Sequence, residues 1–216
     1  MSDVKLYGVK NGVKTVIAAA EEWWFDTTRR VRTAGHVPQE GLTLIGPSAG
    51  CKWYIPGRAA TQRRALKSLP ILNHSGYTFI DIGSGRGRAL FVAAEYPFRR
   101  IEGAEFATEL HVQARENLRA FRGVRRKCTR IECVNMNAIE YPFPEENLVL
   151  YLCNPFDSRV MEKMLSNLET SLANHPRDVF LVIAYPELAP VVRSRARFKA
   201  LLESHSYCIY RAVPQR

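Results

Sequence analysis

From residue 77 onward, short apolar runs alternate with amphipathic stretches. Thr78, Phe79, Ile80 and Ile82 form the first run, rich in β-formers. After Arg88, the residues Leu90, Phe91 and Ala94 share one face of an expected helix. Residues 100–104 make a second short strand. Leu110, Ala114, Leu118 and Phe121 then return to helical spacing, and residues 130–134 are a third strand candidate. Asn147–Cys153 (NLVLYLC) and Val179–Ala184 (VFLVIA) are nearly unbroken apolar runs, the pattern of central strands buried on both faces. Between them Val160, Met164, Leu165, Leu168 and Leu172 repeat as a helix would. Residues 197–203 read as a short helix and 207–213 as a last strand. Strands alternating with helices predict a doubly wound, mostly parallel α/β sheet.

Residues 1–70 break this pattern. Residues 11–25 carry Val13, Val16, Ile17 and Ala20 at helical spacing, with Trp23 and Trp24 near the end. Residues 26–56 are rich in Gly, Pro and Thr and read as loop; residues 61–69 predict a helix with Ala65 and Leu69 inward. The chain therefore divides into an N-terminal extension, 1–70, and an α/β domain, 71–216. The extension is expected to pack on that domain, either as a passive cap or as a cover over the ligand crevice.

The chemistry concentrates in YTFIDIGSGRGRALFVAAEYPFRRIEGAE, residues 77–105. This is strand, glycine turn, helix, strand and acid, the layout of a nucleotide-binding βαβ unit. Glycines let the backbone turn sharply and approach a ligand with no Cβ between them. An acid ending the second strand, Glu105, can accept both hydroxyls of a ribose. The glycines run G-x-G-x-G rather than G-x-G-x-x-G, and Asp81 stands two residues before the first. An anion there suits an ammonium or sulfonium better than a pyrophosphate, which disfavours a nicotinamide dehydrogenase.

DIGSGRG and the later acid resemble the first two motifs of class I S-adenosylmethionine (SAM) methyltransferases. The overall arrangement looks most like a bacterial group of that superfamily, and more distantly like the non-SET histone-lysine methyltransferases. FDTTRRVRTAG (25–35), Tyr54-Ile55-Pro56 and Asn154-Pro155-Phe156 carry that likeness. It implies a Rossmann-like sheet of about seven strands, the last antiparallel, with the sixth reduced or absent here. It implies SAM as cofactor and S-adenosylhomocysteine as product. Asp81, Gly83, Ser84, Gly85, Gly87, Glu105, Phe106, Asn137, Ala138 and Asn154 are then the expected cofactor residues. Asn137 replaces an acid that often accepts from the adenine amino group. Asn154 would orient an acceptor nitrogen, with Pro155 and Phe156 toward the substrate and Tyr54 closing the pocket. Tyr54 and Tyr151 are further candidates to assist catalysis. Each has a plainer reading: Asn137 as a turn residue, Tyr54 as a core aromatic, and 154–156 as a turn that ends the strand and starts a capped helix.

Composition narrows the partners. With 46% hydrophobic and 24% charged residues in 216, the chain reads as an ordinary globular protein with no apolar run long enough to span a membrane. The N-terminus lacks a secretory core, and five cysteines form no CxxC pair, which together predict a cytoplasmic protein with free thiols. The five histidines are scattered, so no metal site is expected. The net charge of +10 gathers in Arg119, Arg122, Arg125, Arg126, Lys127 and Arg130, and again in Arg193, Arg195, Arg197 and Lys199. Such patches suit nucleic acid, yet no interleaved aromatics accompany them. The leading reading is a SAM-dependent methyltransferase acting on a nitrogen of a protein side chain or small molecule. An RNA or DNA base methyltransferase is the alternative, followed by a non-catalytic SAM-binding partner subunit.

Overall fold

The computed structural model describes residues 19–38, 40–46, 54–122 and 125–213. Within them seven strands form one sheet: β1 (Tyr77–Ile82), β2 (Arg100–Glu105), β3 (Ile131–Asn135), β4 (Asn147–Cys153), β5 (Val179–Ala184), β6 (Phe198–Glu203) and β7 (Tyr207–Ala212). Their order is β3-β2-β1-β4-β5-β7-β6. The first five are parallel; β7 runs antiparallel to both β5 and β6. The helices are α1 (19–29), α2 (Ala59–Lys67), α3 (Arg88–Ala93), α4 (Thr108–Ala120), α5 (Ser158–Asn174) and α6 (Ala189–Arg193). This is the doubly wound, Rossmann-like α/β fold that the alternation predicts.

Strand alternation sorts the core into two layers. Ile80, Leu150, Leu152 and Ile183 face Met161, Leu165 and Leu168 of α5. Phe79, Val149, Tyr151 and Val182 face Leu66 of α2 and Phe91 of α3. Each fully buried leucine here contributes roughly 1.5–3 kcal/mol relative to exposure. The order in which the chain adds strands reverses between β1 and β4, which are parallel neighbours, so their carboxyl ends open a crevice at the switch point.

The C-terminal region departs from expectation. Residues 197–203 predict a short helix and a reduced sixth strand, but Phe198–Glu203 is a full edge strand paired with β7. Its sequence, FKALLE, is rich in helix formers; ladder pairing and burial of Phe198 override that local preference. A register shift between Ala200 and Leu202 interrupts its ladder with β7. The short helix α6 was not expected from the pattern.

In the N-terminal part, α1 runs on to residue 29, where the pattern ended it at 25. The expected helical turns at 11–18, and Cys51, lie outside the described residues. Phe25 and Val31 are buried, while Trp23 and Trp24 are each 64% exposed. The Asp26 carboxylate accepts from Thr33 N (2.7 Å), Ala34 N (2.8 Å) and Thr33 Oγ1 (2.6 Å). This clamp accounts for the spacing in FDTTRRVRTAG: buried Phe25, the accepting Asp26, buried Val31 and the donating Thr33. Two isolated bridges, Val37 with Tyr54 and Leu44 with Ala107, fix the rest of the segment. Among the described residues no helix is long and apolar enough to cross a membrane.

Candidate functional site

The carboxyl ends of β1 to β4 border a cleft with about 970 Å³ of empty space, open to solvent on one side. The glycine turn after β1 forms its floor. Gly83, Gly85 and Gly87 all have positive φ (80°, 53° and 88°), conformations that side chains resist. A Cβ on Gly83 would overlap Pro155, and one on Gly85 would overlap the Tyr54 ring. Besides the ligand approach expected of such a turn, Gly83 and Gly85 admit two of the cleft's own walls, one from β4's exit and one from the N-terminal segment.

Glu105 ties the turn to the second strand. Its Oε2 accepts from Gly85 N at 2.7 Å and its Oε1 from Ala107 N at 2.9 Å. Burial pushes its carboxyl up, and these backbone N–H groups work against that rise. Each oxygen keeps a second lone pair for a ligand hydroxyl. Asp81 is 3% exposed, and its Oδ1 has no hydrogen-bond partner. Burial, and then the nearby Glu105 charge, holds Asp81 well above the usual carboxylate range. A cation entering the cleft would relieve that penalty. Ser84 Oγ is also buried without a partner and lies toward Gly103 of β2.

The lining divides along the sheet. Beyond β2 and β3 it is mostly apolar: Leu42, Leu44, Phe106, Ala107, Met136 and Ala138. Residues 42–46 cross this end as a strap. Ile45 N donates to Phe106 O (3.0 Å), Thr108 N to Thr43 O (2.9 Å), and Asn137 Nδ2 to Ile45 O (3.2 Å). Asn137 Oδ1 accepts from Ile139 N at 3.0 Å. Asn137 thus serves as a turn and strap anchor, leaving Oδ1 one lone pair for an adenine amino group. Beyond β1 and β4 the lining is polar: Gln62, Asp81, Arg88, Tyr151 and Cys153. Burial raises the Tyr151 phenol and pushes the Cys153 thiol up to about 12, so both stay protonated at neutral pH.

β4 ends at Asn154, which leaves the strand with φ 51°. Asn is among the few side-chained residues that tolerate this left-handed conformation. Pro155 then packs over Gly83, and Asp157 caps α5 by accepting from Val160 N at 3.1 Å. Phe156 is 4% exposed and joins the core with Val160 and Met161, so it backs the cleft wall and does not project as a clamp. Tyr54 is likewise structural at its tip. Its hydroxyl donates to Thr33 O (2.7 Å), and burial raises its pKa, which keeps it protonated at neutral pH. Its ring closes the cleft over Gly85, with the Arg86 guanidinium 5.3 Å from the ring centre.

Leu42, Leu44, Gln62, Arg88 and Cys153 were not singled out by the sequence. Of these, Arg88 directly follows the glycine turn and Cys153 directly precedes Asn154-Pro155-Phe156, so only these two stood beside a recognisable signal.

No known protein family matches the sequence, and no curated protein does. Solved structures do match in fold. A predicted N6-adenine-specific DNA methylase from Listeria monocytogenes superposes with TM-score 0.52 at 13% identity, over 74% of this chain and 52% of that one. A proposed RNA methyltransferase from Pyrococcus horikoshii gives TM-score 0.52 at 15% identity, over 79% and 92%. An RNA methyltransferase from Salinibacter ruber, in complex with S-adenosyl-L-homocysteine, gives 0.49 at 20% identity, over 75% and 95%. The chain therefore shares a Rossmann-like α/β fold with the Listeria and Pyrococcus proteins.

Proposed function

We propose that this protein is a SAM-dependent methyltransferase acting on a nitrogen of its acceptor. The observation that carries the reading is the presence of buried Asp81, whose Oδ1 has no partner, and of Glu105, bonded to Gly85 N, on either side of a glycine turn at the switch point of this sheet. The residues fit the cofactor. Asp81 offers an anion to its cationic groups, Glu105 offers acceptor lone pairs to its ribose, and the apolar end suits its adenine. When bound, SAM supplies a methyl group already activated by the sulfonium. The chain then has to hold the acceptor in line and exclude water. Asn154 would orient the acceptor nitrogen from the end of β4. Tyr54 and the strap at 42–46 would shield the site, which makes the N-terminal extension part of the cleft wall. Among the described residues no side chain in the cleft is placed as a dedicated base, which suits an amine that arrives neutral.

The acceptor follows less directly. A nucleic-acid base is the second reading, favoured by what the Listeria and Pyrococcus proteins are described as methylating. Several of the basic side chains are tied into the fold, three of them by bonds to carbonyls that leave the charge in place. Arg122 Nη1 donates to the carbonyls of Arg119, Ala120 and Phe121 at the end of α4. Arg126 bonds Cys128 O and Thr129 O; Arg195 pairs with Glu169, and buried Arg197 bonds Leu172 O. A protein or small-molecule amine stays the leading acceptor class, because no interleaved aromatics for base stacking accompany the basic residues. Methyl transfer from labelled SAM, screened over proteins, small amines and RNA, tests the choice; label in RNA alone would reverse it.

Two expected results follow from the site. Asn154→Ala should lower turnover by roughly 10²-fold, the scale of a lost positioning contact, with SAM affinity within about twofold. Undiminished turnover would leave Asn154 as a turn residue only. SAM affinity should rise with pH through the elevated Asp81 pKa, because the cation binds the carboxylate and not the acid. Calorimetry across that range should show the rise, and Asp81→Asn should bind weakly with a flat profile. The same variant should unfold at a higher temperature at neutral pH. A carboxyl with a raised folded pKa costs stability above its unfolded pKa, and an amide does not carry that cost.

A further inference from the structure

The end of the sheet opposite the cleft carries a second open groove, with about 1270 Å³ of empty space. It lies where α5 ends, where β5 and β6 begin and where β7 ends. Three arginines and one acid line it: Arg177, Arg197, Arg211 and Asp178. α5 is 17 residues long and starts directly after the turn that ends β4, so about 25 Å of helix separates this groove from the cleft.

The acid is already engaged. Asp178 Oδ1 accepts from Arg211 Nε (2.7 Å) and Oδ2 from the Tyr77 hydroxyl (2.6 Å). Among the described residues neither Arg177 nor Arg197 forms an ion pair, whereas Arg195 and Arg211 do, with Glu169 and Asp178. Arg197 is 7% exposed. Its Nη2 donates to Leu172 O at 3.1 Å, and its Nε is buried with no partner. Arg177 donates to Ser171 O, His175 O and Ser171 Oγ, and its Nε is likewise buried and unpaired. Burial lowers the Arg177 pKa, against the pull of Glu145 and Glu146. The bonds to Ser171 O and Leu172 O cap the last turn of α5, where cations are favourable, and they bring the two guanidinium groups together. They leave both charges without an anion. Burying a cation with no counterion is costly, and native proteins normally pair it. Two such cations in one open groove point to an anion from solution.

We propose that this groove is a binding site for a phosphate dianion, free or at the end of a small molecule. Arg177 and Arg197 take its oxygens. Arg211, half-exposed at the rim and held by Asp178, adds a third cation. A guanidinium fork matches a phosphate in shape as well as charge. Three arginines against one paired acid leave an excess of positive charge that a dianion balances and a single carboxylate does not. The site is separate from the cleft and does not depend on the SAM reading.

The test is a phosphorus NMR titration of inorganic phosphate against the whole chain, at a pH where phosphate is mostly dianionic. Broadening of the phosphate signal should saturate with wild type. Arg197→Met and Arg177→Met should each weaken binding at least ~10-fold, the scale of a lost charged hydrogen bond, with Arg197→Lys intermediate. Arg125→Met, which removes an exposed cation lining a different hollow, should leave binding within about twofold. Circular dichroism checks each fold; if Arg197→Met fails to fold, Arg211→Met at the exposed rim carries the test and should weaken binding about threefold or more. No saturable signal from folded wild type overturns the site. So does an equal loss in Arg125→Met, which would spread the phosphate over the general basic surface. Displacement of phosphate by S-adenosylhomocysteine would put it in the cleft and overturn the site as well. Dimethyl phosphate, a monoanion, should bind at least ~10-fold more weakly; equal binding overturns the dianion assignment in favour of a phosphodiester.

Discussion

Glu105→Ala is expected to weaken S-adenosylhomocysteine binding by about 10- to 100-fold. Hydrogen bonds to a charged group contribute roughly 1.5–3 kcal/mol each, and about 1.4 kcal/mol is tenfold in affinity. The carboxylate does two jobs in this structure. It accepts from Gly85 N and Ala107 N, and it presents its remaining lone pairs to the cleft. Losing it would remove the proposed ribose partner and release the glycine turn from β2. Glu105→Gln separates the two roles poorly, because its amide NH₂ would face one of those backbone N–H groups. Calorimetry on folded Glu105→Ala is the measurement, with NAD as a control that should not bind wild type. Unchanged affinity for S-adenosylhomocysteine would remove Glu105 from the site.

Gly85→Ala should destabilise the protein by about 2–5 kcal/mol. Part of this is the left-handed backbone, about 1–2 kcal/mol for any side-chained residue. The rest is overpacking, about 1–3 kcal/mol, because the new methyl meets the Tyr54 ring. For a domain of this size the sum is on the order of 10 °C in Tm. In a Tyr54→Ala background the same substitution should cost only the backbone share. A double-mutant cycle on thermal or urea unfolding reads that difference directly. If the two effects simply add, the ring does not rest on the turn.

Much of the fold was legible because it is written locally. NLVLYLC and VFLVIA are strands buried on both faces, and DIGSGRG marks a turn that only glycines can make. β6 was not legible, because FKALLE prefers a helix by composition and becomes a strand only once β7 is beside it. The site divides in the same way. Asp81, the glycines and Glu105 were found by spacing within one βαβ unit. Arg88 was missed because its partner, Thr33, lies 55 residues upstream and nothing near Arg88 names it. Leu42 and Leu44 were missed because an isolated bridge to Ala107 leaves no periodic trace in the chain. Tyr54 was found by resemblance, but only geometry shows its hydroxyl spent on Thr33 and its ring spent on Gly85.

The clamp and strap also bear on how the protein is made. Residues 26–46 emerge from the ribosome before nearly everything they touch. Thr33 awaits Arg88, Arg32 awaits Asn117 85 residues later, and Ile45 awaits Asn137 92 residues later. At about 5–20 residues per second, the longest of these waits is roughly 5–20 s. This segment therefore finds its full set of partners only after β1 to β3 have been made. A nascent chain with only β1 and β2 outside the ribosome should leave the strap open to protease, while the finished protein protects it.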